Sequence, residues 1–415
     1  MLMSNEKKGL LFMLQALTAA ALVLKIFTLY FAVVFLLGLR RLPTVPESVP
    51  RTRFAVVVAA RNEGAVIRGL VRSLRYQDYP SELYDIYVVP NNCTDDTAAR
   101  AALAGARIFL PRGNVHNKGE ALRQAFAYLL PEDYDAFIVF DADNRVDPMF
   151  LRRFNDAFCA GAGVVKGRHL ARDPEKNWLA GCYDLYFRGF DLLFNRPRAA
   201  LGLSCKLVGT GFGVRREVLQ RQGGFCTETV AEDAEFAAAC ASSGERVFWA
   251  PEAVTYDEQP GTLRQSLIQR RRWCSGVMQV AALSVPDLLR GNKRDAPFRL
   301  DMAAFLLTPW TQACSFLLAS AAALWGLLSG VLPPLIPVVS AACSYLGLMS
   351  AALLCGALTG GLKRGMAKAV LLFPLFMATW MPLQLLALIK KTTEWRPIPH
   401  GVPIRAAASA KQSAS

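Results

Sequence analysis

The sequence AFIVFDAD, residues 136–143, places two aspartates directly after a short continuous apolar run. Apolar runs of this length, rich in β-branched and aromatic residues, are typical of strands that are buried on both faces of a sheet. We therefore predict a buried strand at Ala136–Phe140 that ends abruptly at Asp141-Ala142-Asp143. The ends of such strands are where ligands collect in α/β proteins.

The segments around this strand alternate between strand and helix patterns. Strands are predicted at Phe54–Ala60, Tyr84–Val89 and Ala106–Leu110, and helices at Glu63–Leu74, Asp95–Ala104 (N-cap Thr94) and Lys118–Leu130. In the less regular second half we predict strands at Val164–Gly167 and Val208–Val214, and helices at Trp178–Asn195, Glu232–Ser242 and Thr262–Trp273. This alternation predicts an α/β fold, with a mostly parallel sheet and flanking helices.

Three of the predicted strands end in polar groups. They carry Arg61-Asn62-Glu63, Asn91-Asn92-Cys93-Thr94 and Asp141-Ala142-Asp143. Because the carboxyl ends of parallel strands meet at one edge of a sheet, we expect these groups to converge. The sequence has no GxxxxGK phosphate loop and no GxGxxG after its first strand, which argues against nucleotide binding by either device.

Asp141 and Asp143 are candidate ligands of a divalent cation. Two carboxylates so close repel each other, and desolvation adds to the cost, so they need a cation. Mg²⁺ or Mn²⁺ suits one or two carboxylates together with phosphate oxygens and water. The alternative is a solvated turn, since aspartate is common after strands.

Glu232 and Asp233 open another predicted helix and are candidate catalytic groups. The functional interpretation is that Asp233 is a general base that accepts the proton of an attacking hydroxyl. The structural alternative is that both carboxylates simply favour a helix N-terminus.

The run QRRRW at residues 269–273 combines an amide, guanidinium groups and an indole. On a helix Gln269, Arg272 and Trp273 share a face. Arginine forms forked bonds to phosphate, and an indole ring offers a flat platform to a sugar. The alternative is a basic helix beside the membrane that grips lipid headgroups, an interpretation that suits Arg270 and Arg271 but does not explain Gln269 and Trp273.

Long apolar segments lie near both ends of the chain. Gly9–Leu39 is interrupted only by Lys25, and Met302–Leu362 contains no charged residue. The first run is too long for a signal peptide, and no small-residue cleavage site follows it. We predict a transmembrane helix at 9–39, a soluble domain at 50–285, a transmembrane region at 300–391 and a tail at 392–415.

Arginines that follow the first apolar segment predict the orientation of the chain. Arg40, Arg41, Arg51 and Arg53 outweigh Lys7 and Lys8, so the positive-inside rule places the soluble domain in the cytoplasm, at the cytoplasmic membrane. Ala369–Ile389, the last apolar segment, contains two prolines and has basic flanks on both sides. It is predicted to be kinked, re-entrant or interfacial.

Basic residues exceed acidic ones by 47 to 33, which gives a net charge of +14. Cytoplasmic flanks beside anionic lipid account for this excess, as does a site for an anionic substrate such as a nucleoside diphosphate, and both can hold. Nucleic acid is disfavoured, because the basic residues do not cluster with aromatic ones. The ten cysteines form no CxxC pair, and with three histidines no zinc-binding spacing exists.

The chain resembles the membrane-embedded family-2 glycosyltransferases, which include cellulose, chitin and hyaluronan synthases. The resemblance spans about Phe54 to Trp273. It rests on an ordered set of motifs: RNE, NNCTDD, NKG at 117–119, DAD, GTG at 209–211, ED and QRRRW. It implies a GT-A fold and an inverting, metal-dependent transfer of a sugar from a nucleotide donor, usually a UDP-sugar, to a hydroxyl, so that an α-linked donor gives a β-linkage.

The resemblance also implies roles for individual residues. Nucleotide and donor binding fall to Ala60, Glu63, Asn91, Asn92, Lys118, Asp141, Gln269 and Arg272, metal binding to Asp143 and Asp141, acceptor binding to Gly209, Thr210, Gly211 and Trp273, and catalysis to Asp233 with Glu232. There are two departures from the family pattern. Asn91-Asn92 replaces an acidic pair, and the lost negative charge weakens the assignment of the nucleobase as uracil. Ala231 replaces the threonine of a TED motif.

Three functions are open at this point. A processive polymerase that extrudes a polysaccharide is the first, since the polymer synthases of this family place QRRRW-like motifs at a channel mouth. Transfer of a single sugar to a lipid acceptor is the second, because only about four membrane segments are available for a channel. A catalytically inactive partner ranks last, since Asp141, Asp143 and Asp233 are all present.

Overall fold

The computed structural model describes residues 5–392, so that the predicted tail beyond Thr392 lies outside the described residues. Its strands are β1 Phe54–Ala60, β2 Tyr84–Pro90, β3 Arg107–Ile108, β4 Ala136–Asp141, β5 Arg145–Val146, β6 Val164–Ala171, β7 Phe212–Arg215 and β8 Val247–Asp257. Its α-helices are α1 Asn5–Leu24, α2 Ile26–Leu37, α3 Ile67–Arg75, α4 Thr97–Leu103, α5 Lys118–Leu129, α6 Phe150–Cys159, α7 Trp178–Phe190, α8 Arg196–Leu201, α9 Arg216–Arg221, α10 Glu232–Ser242, α11 Leu263–Arg290, α12 Ala296–Leu328, α13 Leu335–Leu358, α14 Ala367–Ala378 and α15 Trp380–Ile389.

The described chain divides into two compact units. The first, called the sheet unit, comprises Pro43–Arg172 and Cys205–Pro260. The second, called the helical unit, comprises residues 5–42, Asp173–Ser204 and Gly261–Thr392. Residues 173–204 and 261–285, which the sequence led us to assign to the soluble domain, thus belong to the same unit as the long apolar helices.

The sheet has the strand order β3-β2-β1-β4-β7-β6-β8-β5. The first four strands in this order are parallel, and β6 and β8 are also parallel. Strand β7 is antiparallel to both β4 and β6, and β5 is antiparallel to β8. The predicted class, a mostly parallel GT-A-type sheet with flanking helices, is confirmed, and the carboxyl ends of β1, β2 and β4 lie at one edge.

Strands β1 and β4 form the centre of the sheet and are almost completely buried. Their side chains pack in one apolar cluster with α3 and α6, through residues such as Ile67 and Phe154. Full burial of one such side chain contributes about 1.5–3 kcal/mol, so these strands are held rigidly. Rigid strands give the polar groups that follow them fixed positions.

Helices α3 and α4 both begin later than the sequence predicts. The Glu63 N–H donates to Thr97 Oγ1 (2.9 Å), and the Gly64 N–H donates to Asp95 Oδ2 (3.0 Å). These amides therefore join two loops instead of starting a helix. Asp95 Oδ1 also accepts from the Thr97 N–H (3.1 Å), and such a local turn competes with helix. The prediction that Thr94 caps α4 is wrong.

The sequence did not reveal five elements, namely β5, α6, α8, α9 and β8. The long strand β8 was missed because Pro251 and Glu252 interrupt its apolar pattern. These residues fall where its pairing with β6 shifts register, between Gly167 and Arg168. A bulge of this kind accommodates a proline within a sheet. Helix α11 also continues well beyond Trp273, to Arg290.

Among the described residues, four helical segments are long and apolar enough to cross a membrane. They are Gln15–Leu37, Lys293–Leu328, Leu335–Leu358 and Ala367–Ile389. The last segment is divided at Thr379 into α14 and α15, with Pro374 and Pro382 on either side of the division. The division agrees with the kink that the two prolines predicted.

A buried ion pair joins α8 to α12 within the helical unit. Arg198 and Asp301 form two hydrogen bonds of 2.8 Å, and both side chains are about 1% exposed. Tyr30 of α2 donates a further hydrogen bond to Asp301 (2.8 Å). Because each charge is fully paired, this triad fixes three helices relative to each other without leaving an isolated buried charge.

Candidate active site

Lys118 lies at the centre of a polar cluster in the sheet unit. It begins α5, where the side chain of Asn117 caps the helix. Its Nζ lies 2.6 Å from Asp141 Oδ1 and 3.4 Å from Glu232 Oε1, and it donates to the carbonyl oxygen of Gly209. Burial by itself lowers the pKa of Lys118, but the charges of Asp141 and Glu232 outweigh it and raise the pKa above its ordinary value. Lys118 therefore stays a cation that neutralises carboxylates around it.

The backbone at Gly209 brings the start of α10 into this cluster. A Cβ atom at residue 209 would lie 3.2 Å from Lys118 Nζ, 3.3 Å from Glu232 Oε1 and 3.7 Å from Asp233 Oδ2. Glu232 is only 7% exposed, whereas Asp233 is half-buried. The structure thus brings Lys118, Asp141, Glu232 and Asp233 together.

A second group of carboxylates surrounds Asp143. Burial, together with the charges of Asp257, Asp141 and Glu63, raises the pKa of Asp143 well above its usual range. Burial also raises the pKa of Glu63 to about 8, with further contributions from Asp141, Asp95 and Glu258. Carboxylates that repel one another in this way are strongly favoured by any cation that joins them.

The donor set around Asp141 and Asp143 fits a hard divalent cation. Among the described residues, no three side chains of the His, Cys, Asp and Glu types converge closely enough to complete a metal site. Mg²⁺ is bound in proteins by one or two carboxylates plus substrate phosphates and water, so a complete protein cage is not required. The residues that are present therefore suit a cation that binds together with a phosphorylated ligand.

The predicted nucleotide residues lie beside the ends of β1 and β2. The Asn91 N–H donates to the carbonyl oxygen of Ala60 (2.7 Å), which ties the two strand ends together. Asn91 is 2% exposed, and its Oδ1 accepts no hydrogen bond from the described residues. Asn92 Nδ2 donates to Asn114 Oδ1 and to the carbonyl oxygen of Val115, both at 2.8 Å. Asn92 thus holds a neighbouring loop, while Asn91 keeps an unused acceptor.

Hydrogen bonds of the buried Thr210 hydroxyl fix the Gly209-Thr210-Gly211 loop. Thr210 is 1% exposed, and its Oγ1 accepts from the Asp141 N–H (3.0 Å) and donates to Asn144 Oδ1. Gly211 has a φ of 60°, in the left-handed region that favours glycine. Because the Thr210 hydroxyl is occupied, only the backbone of this loop is left for the predicted acceptor contact.

Sequence reasoning missed Asp257 and Glu258, at the end of β8. Asp257 Oδ2 lies 2.7 Å from His169 Nε2, and Glu258 Oε2 lies 3.1 Å from Arg172 Nη2. The signal that could have found them is the one used for β4, namely carboxylates directly after an apolar strand. It was lost together with β8 itself.

Gln269, Arg272 and Trp273 lie on α11 in the helical unit, and all three are partly exposed. Gln269 Oε1 accepts a hydrogen bond from the hydroxyl of Tyr183 (3.1 Å). The Trp273 ring stacks on Trp380 (centroids 6.2 Å apart, 26° between planes) and meets Tyr183 edge-on at 6.2 Å. The shared helix face that the sequence predicted is therefore formed.

Arg270 differs from its neighbours because it is 0% exposed. Its Nε donates to Ser266 Oγ (3.1 Å), and its Nη1 donates to the carbonyl oxygen of Phe376 (3.1 Å). The guanidinium carbon also lies 4.2 Å from the centre of the Phe376 ring. Enclosed by protein in this way, Arg270 does not reach lipid headgroups, and that interpretation of Arg270 is wrong.

A mostly parallel sheet with carboxylates clustered near its strand ends is the architecture expected of a GT-A-type fold. Comparison with known proteins agrees. Residues 136–383, more than half of the chain, match the model of "Glycosyl transferase family group 2". The chain therefore belongs to the family-2 glycosyltransferases.

Two similar proteins illustrate the range of the family. A beta-monoglucosyldiacylglycerol synthase of Nostoc sp. is 28% identical over 270 residues, covering 61% of this chain and 55% of that protein. A putative cellulose synthase of Komagataeibacter xylinus is 27% identical over 303 residues, covering 69% of this chain and 19% of that protein. The chain thus spans about half of the first relative and a fifth of the second.

The same fold occurs in a solved structure of an archaeal enzyme. It is a mannosyltransferase from Pyrobaculum calidifontis in complex with GDP-mannose and Mn²⁺. The two structures superpose with a TM-score of 0.63 and 20% sequence identity, over 92% of this chain and 98% of the other.

Proposed function

We propose that this chain transfers a single hexose from a nucleoside-diphosphate sugar to a hydroxyl group of a lipid acceptor, with inversion at the anomeric carbon. The observation that carries the proposal is that two adjacent carboxylates differ in their burial and in their pairing. Glu232 is buried and paired with Lys118 at 3.4 Å, whereas Asp233 is half-buried and faces the backbone of Gly209. Asp233 is thus the carboxylate of the pair that remains open to a substrate.

Asp233 serves as the general base in this mechanism. It accepts the proton of the acceptor hydroxyl while the hydroxyl oxygen forms a bond to the anomeric carbon. The bond from that carbon to the diphosphate oxygen breaks at the same time, and its electron pair leaves with the nucleoside diphosphate. A single displacement of this kind inverts the configuration, so an α-linked donor yields a β-linked product.

Asp141 and Asp143 are proposed to hold Mg²⁺ or Mn²⁺ together with the diphosphate. A divalent cation supplies positive charge that stabilises the departing diphosphate. Lys118, fixed by Asp141 and Glu232, adds a permanent positive charge beside the same carboxylates. The Mn²⁺ bound by the archaeal mannosyltransferase supports this proposal.

The nucleotide is proposed to be uridine diphosphate, bound beside Ala60, Glu63, Asn91 and Asn92. The unused Oδ1 of Asn91 is an acceptor, and the imide N–H of uracil is the donor that it would match. Because the archaeal structure contains GDP-mannose, a panel of UDP- and GDP-sugars is the direct test. Transfer from GDP-sugars alone would contradict the assignment.

A lipid acceptor is better supported than a growing polysaccharide, although the sequence alone favoured the polymer. Similarity to beta-monoglucosyldiacylglycerol synthases reaches 28–30% identity, against 24–27% for cellulose synthases. Gln269, Arg272 and Trp273 on the helix that precedes the membrane segments favour the polymer as the second candidate, with the diphosphate and the acceptor sugar as their ligands.

The proposed setting is the cytoplasmic membrane, with the sheet unit on the cytoplasmic side. The four apolar helical segments and the arginines after the first of them support this placement. A cytoplasmic site has direct access to nucleotide sugars. Protease protection of inverted and right-side-out vesicles tests it.

Incubation of membranes with radiolabelled donor tests the function. A single labelled species that extracts into organic solvent supports the lipid acceptor, and a ladder on a gel supports the polymer. Asp233→Asn is expected to abolish transfer and to retain UDP binding, whereas Glu217→Gln, an exposed carboxylate on α9, should leave transfer unchanged. An active Asp233→Asn variant would refute the assignment of Asp233 as the general base. Full activity in EDTA would refute the proposed role of the metal.

A further inference from the structure

A basic surface cavity lies beside α3 and α4 of the sheet unit. Its volume is about 360 Å³. It is lined by Arg68, Arg72, Arg75, Tyr76, Leu103 and Ala104. All of these residues belong to one unit, and none of them is part of the candidate active site. The cavity is therefore a separate feature of the sheet unit.

The three arginines of the cavity form a stripe along α3. Arg68, Arg72 and Arg75 have the spacing i, i+4 and i+7, so they share one helix face over about 10 Å, and all three are exposed. Like charges at this spacing repel each other and destabilise a helix. Basic residues are favoured in the last turn of a helix, which accounts for Arg72 and Arg75 but not for Arg68 in the first turn.

The arginine stripe has no carboxylate partner within salt-bridge distance among the residues that the structure describes. Neighbouring exposed arginines do have one. Arg100 Nε on α4 lies 2.7 Å from Asp96 Oδ2, and Arg107 Nη2 on β3 lies 2.9 Å from Asp85 Oδ1. The carboxylates of this region are thus paired elsewhere, and the stripe keeps its positive charge for a ligand.

Gly105 and two exposed side chains shape one end of the cavity. Gly105 has a φ of 99°, and the atom nearest to the position that its Cβ would take is Nη1 of Arg75. Any larger residue at 105 would displace this guanidinium group as well as strain the backbone. Tyr76 and Leu103 are 78% and 90% exposed. The cavity therefore combines guanidinium groups with an aromatic and an aliphatic surface.

We propose that this cavity binds a small molecule that carries two or more phosphate groups and an apolar or aromatic body. Guanidinium groups form paired N–H bonds to phosphate oxygens, and the Tyr76 ring and Leu103 contact the body of the ligand. The stripe is longer than a single phosphate group, and each bound phosphate relieves repulsion between neighbouring arginines. The proposal does not rest on the proposed function, because this site is basic and the candidate active site is acidic.

Inorganic tripolyphosphate and ADP are the probes, and calorimetry on the full chain in detergent measures their binding. The buffer is free of divalent cations, on which the proposed binding of the sugar donor depends. The triple variant Arg68→Gln/Arg72→Gln/Arg75→Gln removes the stripe. The control Arg107→Gln/Arg123→Gln/Arg221→Gln removes the same charge from three paired arginines of the same unit, whose side chains are 61%, 57% and 61% exposed.

The stripe variants are expected to bind both probes more weakly. Arg72→Gln should weaken binding about two- to fivefold, the usual range for one exposed ion pair, and the triple variant about ten- to hundredfold. The affinity of the wild type should fall as NaCl is added, because exposed charges are screened by salt. Tyr76→Ala should weaken binding of ADP and leave that of tripolyphosphate unchanged. The control variant should bind both probes as the wild type does.

Three results would overturn the site. They are wild-type affinity in the triple variant, an equal loss in the charge-matched control, and a wild type that binds neither probe. In the last case, binding of a short-chain anionic phospholipid would assign the stripe to lipid headgroups instead. A wild type that binds tripolyphosphate through the stripe but transfers no sugar would refute the proposed function and leave this site standing.

Discussion

Replacement of Lys118 by methionine tests whether one buried cation holds the acidic cluster together. Methionine has a similar length and no charge, so packing is largely retained. Asp141 Oδ1, now 2.6 Å from Nζ, and Glu232 Oε1, at 3.4 Å, would both lose their cation. Glu232 is only 7% exposed and cannot recover the loss through water.

The expected cost is large because a buried charge is left without its partner. Removal of one partner of a buried ion pair typically costs about 3–5 kcal/mol. For a unit of this size about 3 kcal/mol lowers the Tm by roughly 6–12 °C.

Thermal unfolding of the detergent-solubilised chain at pH 8 measures this loss. Arg123→Met is the control, because it removes a cation from the same helix at a side chain that is 57% exposed. That change should cost less than about 0.5 kcal/mol, as is usual for surface positions. Equal melting temperatures for Lys118→Met and wild type at pH 8 would refute the electrostatic argument.

Two further predictions concern other buried charges. Glu63→Gln should raise the Tm at pH 9 and leave it unchanged at pH 4. The folded-state pKa of Glu63 is about 8, so ionisation of Glu63 destabilises the fold at any pH above its unfolded-state pKa. Thermal melts across pH in EDTA measure the effect, and a lower Tm of the variant at pH 9 would contradict the prediction. Arg198→Met should lower the free energy of unfolding by about 3–5 kcal/mol, because Asp301 stays buried without its partner. Recovery of stability in the double variant Arg198→Met/Asp301→Leu would support this reason. An unchanged Tm of the single variant would refute it.

The central strands could be predicted from sequence because their burial on both faces leaves an unbroken apolar run. Strand β1 has the predicted bounds, and β4 extends by one residue to Asp141. The carboxyl-end rule then predicted that Glu63, Asn91 and Asp141 lie at one edge of the sheet, whereas Lys118 and Asp233 were assigned to the site through the resemblance to a known family. Strand β8 was not predicted because Pro251 interrupts its apolar pattern, and the acidic residues at its end were missed for the same reason.

The burial of one residue among similar neighbours could not be predicted, because distant contacts decide it. Glu232 and Asp233 are adjacent acids, and only the position of Lys118 distinguishes them. Arg270 stands in a row of three arginines, and the residue that encloses it, Phe376, lies far along the chain. Local pattern carries no information about such contacts.

The charge of the candidate site is opposite in sign to the net charge of the chain. The chain has a net charge of +14, which suggested a basic pocket for an anionic substrate. The cluster around Lys118 and Asp143 is instead acidic, with carboxylates that raise one another's pKa. An anionic diphosphate cannot enter such a cluster alone, because like charges in a partly buried site repel strongly. It can enter together with a divalent cation, so the proposed binding of the donor is expected to depend on the metal.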